Sequence, residues 1–364
     1  MYKLASFGAL ILGVILFSLL ASSAANFDPE IDGFGKNWKS FATVSFDGYV
    51  VKGLPGDIAP TVSAWQHEGF KVGLWLGASQ LHTISNGTSA DKIAVYHANK
   101  FLEDTGTNLR IVELSYGNGN LLELLAAYLR IREEGAIPDF VIVAVTYDDM
   151  REPGVRRGLV PDIDVKLNEV GGPGIRVLSA EIAASQEEAD ITPVVRNATS
   201  GTPQEKLEKY LTALLEENWP AYRNRGRLQG MLEILAKQRI ARIILGRERR
   251  QSVTITAGQE DRNFLALDSL RRVTYADGVR LFVYRAPLRK SDNFSYYDPN
   301  DYRKFEARLS EYCREENIAY RDLDDLVPSE LYGMTNSGLP DYFHFNERGH
   351  EILGKTIADW VSRP

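Results

Sequence analysis

Apolar residues along this chain fall in short runs separated by polar stretches with helical spacing. Lys71 to Gly77 (KVGLWLG), Leu109 to Ser115 (LRIVELS) and Asp139 to Thr146 (DFVIVAVT) are short, largely apolar runs suited to buried parallel strands. Between them, a helix is predicted near Asp91 to Thr105, and another from Asn120 to Glu134 with apolar residues at helical spacing. The rhythm resumes with a strand at Val279 to Tyr284 (VRLFVY), a helix from Asp301 to Glu316, a short strand at Ile318 to Asp322 and a final helix from Glu347 to Val361. Strands alternating with helices predict a three-layer α/β domain built on a mostly parallel sheet.

Three stretches depart from that rhythm. Residues 26–70 are rich in Gly, Pro and aromatics without sustained periodicity and read as an irregular lead into a domain spanning 71–364. After the third strand, a Gly/Pro-rich stretch and two helical segments (EKLEKYLTALLEENW and LQGMLEILAKQRIARIIL) read as an insertion at about 153–278. Residues 1–25 read as a targeting segment, because Leu4 to Ala25 carries no charge and contains ALILGVILFSLLA. Its apolar part is at the short end for a membrane span, and Ser23 and Ala25 supply small residues for signal-peptidase cleavage, so a signal peptide and a retained membrane anchor both stay open. Lys3 before the segment and Asp28, Glu30 and Asp32 after it place the rest of the chain outside the cytoplasm.

Composition narrows the functional classes. The 364 residues are 44% hydrophobic, enough for a full-sized core. With 42 basic against 49 acidic residues and a net charge of -7, there is no broad cationic surface for nucleic acid. Cys313, the single cysteine, has no partner for an internal disulfide, and neither a Cys pair nor an HExxH spacing offers a zinc site. Neither a metal nor an organic cofactor is expected.

In open parallel sheets, reactive groups collect where strands end at their carboxyl side. The first such exit reads Gly77-Ala78-Ser79-Gln80-Leu81, with a serine directly after an apolar strand. On that feature alone Ser79 is a helix cap or a nucleophile. The C-terminal segment bears on the choice: Asp341-Tyr342-Phe343-His344 sits just before the last helix. A serine hydroxyl needs a base to take its proton, and that base needs an acceptor on its other nitrogen. An Asp and a His three residues apart on one loop supply both.

The strand exits, taken in order, resemble a known family. GASQL (Gly77 to Leu81), Ser115-Tyr116-Gly117-Asn118, Thr146-Tyr147-Asp148-Asp149 and DYFHFNERGH (Asp341 to His350) are similar to the four ordered blocks of the SGNH (GDSL-like) hydrolase superfamily. The nearest flavour is the exported, membrane-tethered branch that includes the D-alanyl-lipoteichoic acid transfer protein DltD and alginate O-acetylation proteins. The resemblance implies a flavodoxin-like strand order and ester chemistry on a glycan, by hydrolysis or acyl transfer. It assigns Ser79 as nucleophile, His344 as general base and acid, and Asp341 as the group that orients His344. The backbone amides of Ser79 and Gly117, with Asn118 or Asn120 beside them, would face the oxyanion. It also implies an integral-membrane acyltransferase as partner for a transfer reaction. One block departs: where the family has an Asn side chain donating to the oxyanion, this chain has Asp148, with Asp149 next to it; an ionised carboxylate donates nothing, so these two read as contributing to substrate binding or to structure.

Other signals have plainer readings. Gly117-Asn118-Gly119-Asn120 follows a strand and opens a helix, yet it lacks the third glycine of a dinucleotide-binding turn. His350 reads as a packing or capping residue, and His82 as a pocket-lining or merely exposed polar residue. Arg151, with Arg156 and Arg157, either meets an anionic substrate or marks a solvated face. The Asp148 departure also permits a different class of protein, a glycan-binding or assembly protein that keeps the fold with weakened catalysis.

Overall fold

The computed structural model describes residues 42–45, 51–53, 55–85, 91–151, 154–155, 172–191, 255–290, 297–334 and 340–363. Its elements in chain order are β1 (Ala42–Ser45), β2 (Val51–Gly53), α1 (Pro55–His67), β3 (Lys71–Ala78), α2 (Ala94–Asp104), β4 (Leu109–Tyr116), α3 (Leu121–Glu133) and β5 (Phe140–Val145). They continue with α4 (Pro173–Ile191), α5 (Ala257–Ala276), β6 (Arg280–Arg285), α6 (Pro299–Glu315), β7 (Ala319–Asp322), β8 (Tyr332–Met334), β9 (Pro340–Phe345) and α7 (Glu347–Ser362).

The strands predicted from apolar runs form the centre of the sheet. Among the described residues its order is β2-β1-β4-β3-β5-β6-β7, with every neighbouring pair from β4 to β7 parallel. The five parallel strands therefore follow the expected flavodoxin-like order, in which the chain reverses direction across the sheet between β3 and β5. Their carboxyl ends meet at that switch point.

Both faces of the sheet are covered, which is why β3, β4 and β5 read as continuous apolar runs. Side chains alternate across each strand. Val72, Leu74 and Leu76 of β3 join Val141, Val143 and Val145 of β5 in a core with α1, α3, α5 and α6. Trp75, Ile111, Ile142 and Phe282 belong to a second core with α2 and α7. Fully burying one such aliphatic or aromatic side chain contributes roughly 1.5–3 kcal/mol, so these two layers dominate stability. A Cβ at Gly354 would collide with the Ala94 carbonyl, so this glycine lets α7 cross closely over α2.

Two readings need correction. The lead expected to be irregular supplies β1, antiparallel to β4, as well as β2 and α1. Helix α5, assigned to the insertion, is the crossover that leads into β6, and it contributes Phe264, Leu267 and Leu270 to the first core. The targeting segment and the two helical segments of the insertion lie outside the described residues. Among the described residues, no helix is long and apolar enough to cross a membrane.

Candidate active site

Ser79 is the first residue beyond β3. The turn that carries it closes through hydrogen bonds from the His82 and Thr83 amides to the Ser79 carbonyl, 3.2 and 2.9 Å long. Gly77 makes this exit compact: a Cβ there would come within 2.6 Å of the Leu81 side chain, which folds back over the strand.

Asp341 and His344 lie on β9 rather than on a free loop, and the strand is distorted where they sit. Tyr332 pairs with Phe345 and Met334 with Pro340, so a two-residue step on β8 spans five on β9. In a regular strand, residues three apart would point to opposite faces. Here the surplus backbone folds over Asp341, whose Oδ1 accepts from the Phe343 and His344 amides at 2.9 and 3.0 Å. Neighbouring elements fix the rest of the segment: Arg289 N–H donates to the Tyr342 carbonyl (3.0 Å), and Ser85 N–H to that of Phe345 (3.0 Å).

Folding brings the three residues into one hydrogen-bonded line despite their separation along the chain. His344 Nδ1 is 2.9 Å from Asp341 Oδ2, and His344 Nε2 is 2.9 Å from Ser79 Oγ. An ionised carboxylate only accepts, so the ring proton belongs on Nδ1 and Nε2 is left to accept from the serine hydroxyl. Burial by itself would raise the Asp341 pKa. The hydrogen bond and charge of His344, with the two amides, outweigh burial and hold it below the ordinary carboxylate value. The His344 side chain keeps 22% of its surface exposed, so the line opens to solvent.

The second strand exit lies alongside. Ala78 pairs with Tyr116 in the last rung between β3 and β4, so Ser79 and Gly117 leave adjacent strands next to each other. Gly117 and Asn118 form a turn closed by Gly119 N–H to the Tyr116 carbonyl (3.1 Å), with Asn118 at φ 51°. Asparagine tolerates that left-handed backbone better than most residues. Asn120 is engaged elsewhere. It caps α3 in a capping box with Glu123 and donates to the Gly154 carbonyl at 2.7 Å, so it is not an oxyanion donor.

A serine hydroxyl, an imidazole and a carboxylate in one hydrogen-bonded line form an arrangement that can activate the hydroxyl as a nucleophile. No protein-family model matches the chain, and it has no significant match among curated proteins. Solved structures similar to it include a GDSL-like lipase from Bacteroides thetaiotaomicron, at 10% identity over 84% of this chain and 98% of that one, TM-score 0.39. Others are the psychrotrophic esterase EstA from a Pseudoalteromonas species (12% identity, 80% and 100%, TM-score 0.38) and a variant of an acetyl-xylooligosaccharide esterase from Geobacillus (11%, 81% and 95%, TM-score 0.37). At that level of likeness, what the chain does is read from its own side chains.

The remaining candidates divide. Asp149 turns inward: it is 4% exposed and accepts from the Thr146 amide and hydroxyl, both at 2.7 Å. Burial pushes its pKa up to about 8 against the lowering effect of those bonds, and the carboxyl shapes the turn after β5 instead of meeting substrate. Asp148 Oδ2 is 3.2 Å from Arg151 Nη2, so the position where the family pattern has a donor amide holds a carboxylate paired with a guanidinium. His82 Nδ1 lies 2.9 Å from Ser115 Oγ, within the protein rather than free in a pocket. His350 is fully buried, with Nδ1 accepting from the Ala94 amide (3.2 Å) and Nε2 3.1 Å from the Thr83 carbonyl. Burial lowers its pKa to about 3, so it stays neutral and ties α2 and α7 to the turn after Ser79.

Gln80 was not singled out from the sequence. It is 3% exposed, and its Nε2 donates to the carbonyls of Pro287 (2.7 Å) and Phe343 (2.8 Å). Only its position between Ser79 and Leu81 could have signalled this role. Glu113 was also passed over, although a carboxyl in the run LRIVELS breaks an otherwise buried strand pattern.

Proposed function

We propose that this chain is an exported serine-dependent ester hydrolase or O-acyltransferase acting on a cell-surface or secreted glycan. The observation that carries the ester chemistry is the line Ser79 Oγ, His344 Nε2, Nδ1, Asp341 Oδ2, with both contacts at 2.9 Å and its serine beside Gly117. Ser79 Oγ attacks the ester carbonyl while His344 Nε2 takes the hydroxyl proton, and Asp341 stabilises the resulting imidazolium. The amides of Ser79 and Gly117 receive the oxyanion; losing one such donor typically costs about 10²–10³ in turnover. Collapse of the tetrahedral species breaks the ester C–O bond, and the leaving alkoxide takes the proton from His344. A second nucleophile then gives up its proton to His344 and cleaves the acyl-serine. Water makes the reaction hydrolysis; a sugar hydroxyl makes it transfer.

Export and the glycan substrate rest on the uncharged segment Leu4 to Ala25 and on the resemblance to the tethered polysaccharide-modifying branch. In a transfer reaction, an integral-membrane acyltransferase would supply the acyl group. The test is to replace Ser79 with Ala in the producing cells and quantify ester groups on their surface glycans. Fewer esters indicate transfer and more indicate hydrolysis; an unchanged content removes glycan esters as the substrate.

A further inference from the structure

A chain of polar side chains runs beneath the two strand exits. Glu113 and Ser115 alternate along β4 with Val112, Leu114 and Tyr116 of the first core, so they project with Ile111 toward α2 and α7. Glu113 is 1% exposed and Ser115 fully buried. Ser115 Oγ donates to Glu113 Oε1 at 2.7 Å, and His82 Nδ1 lies 2.9 Å from the same Oγ. The hydroxyl has one proton, so when that proton lies toward Glu113, Ser115 Oγ accepts from His82 Nδ1–H.

Packing does not account for Glu113. A buried carboxyl costs more than an apolar side chain of the same size unless its oxygens are paired, and among the described residues Oε2 has no hydrogen-bond partner. Burial pushes the Glu113 pKa up to about 8, Ser115 opposing it in part, and burial lowers that of His82 to about 3. At neutral pH the array is therefore without charge.

Its two ends attach to the backbone that carries the oxyanion donors. His82 belongs to the turn closed on the Ser79 carbonyl, and Ser115 pairs in register with Gly77, two residues before Gly117. We propose that Glu113, Ser115 and His82 form a positioning array that holds the amides of Ser79 and Gly117 at the separation the oxyanion requires. This inference rests on the ester-chemistry reading. The array sets where the donors stand and takes no proton from substrate.

The test uses the full chain with Ser115→Ala, Ser115→Thr and Glu113→Gln, measuring kcat and KM on p-nitrophenyl acetate, fluorophosphonate labelling, and Tm. Because one oxyanion donor is worth about 10²–10³ in kcat, displacing it should cost on the order of tenfold in Ser115→Ala with KM changed less than about twofold. Ser115→Thr, which keeps the hydroxyl, should recover most of the loss. A wild-type protein that reacts while Ser115→Ala keeps its kcat overturns the array alone, as does a loss that Thr does not rescue. A folded wild-type protein inert to both reagents overturns the ester chemistry and the array with it. Glu113→Gln guards against a folding artefact: it keeps an acceptor for Ser115 and should retain more turnover than Ser115→Ala.

Discussion

Gln80 donates a 2.8 Å hydrogen bond to the carbonyl of Phe343, so the residue after Ser79 holds the residue before His344. Its second bond, to Pro287, ties the same amide to the segment after β6. Gln80→Met keeps the length of the side chain and removes the donor to both carbonyls. Small displacements of a catalytic group can cost up to about 10² in rate, so kcat should fall roughly tenfold or more with KM little changed. Steady-state kinetics on a soluble ester would show it; an unchanged kcat would mean that Gln80 serves folding alone.

Asp341→Asn should keep the fold and lose turnover. An Asn side chain can still accept from the Phe343 and His344 amides, yet it no longer stabilises an imidazolium, and the corresponding change in a Ser-His-Asp enzyme costs about 10⁴ in kcat. The depressed pKa of Asp341 has a second consequence. The ionised form is favoured in the folded state, so its contribution is present above the ordinary value of 3.8 and lost as pH falls through the lower folded value. Melting curves of wild type and Asp341→Asn should therefore converge in acid.

Glu113 and Asp149 act in the opposite direction. Both carboxyls ionise near pH 8 in the folded protein, against 4.5 and 3.8 ordinarily, because burial disfavours their charge. From those ordinary values up to about 8, the unfolded chain has released protons that the folded chain retains, so stability falls as pH rises. Glu113→Gln removes one of the two groups, and its Tm should decline less than that of wild type between about pH 5 and 8. Parallel Tm profiles would contradict the assignment.

What the sequence disclosed follows from where burial is two-sided. Strands β3, β4 and β5 are covered on both faces, so their apolar runs were legible to within a residue or two, and the order of the strand exits placed Ser79, Asp341 and His344 together. Strand β1 is four residues (ATVS) at the outer side of β4 and carries no such run; α1 contains Pro60 and was hidden by it. The distortion of β9 was unreadable because it depends on pairing with β8, and Gln80 because its partners are backbone carbonyls distant in sequence. Asp149 looked like a pocket residue since no pattern distinguishes a turn-forming carboxyl from a ligand-binding one.

Asp148 offers a test of the departure from the family pattern. Asp148→Asn removes the charge that pairs with Arg151 and supplies an amide donor. If the side chain reaches the oxyanion, turnover of a simple ester should rise, by up to about 10² if a full donor is regained. Complete loss of activity with the fold intact would give the carboxylate an essential role.

The most direct measurement is fluorophosphonate labelling of the intact protein with the modified residue mapped by mass spectrometry. The Ser79–His344–Asp341 line predicts a single adduct on Ser79, abolished in Ser79→Ala and strongly slowed in His344→Ala. A folded protein that stays unlabelled, or that carries the label on another residue, would contradict it.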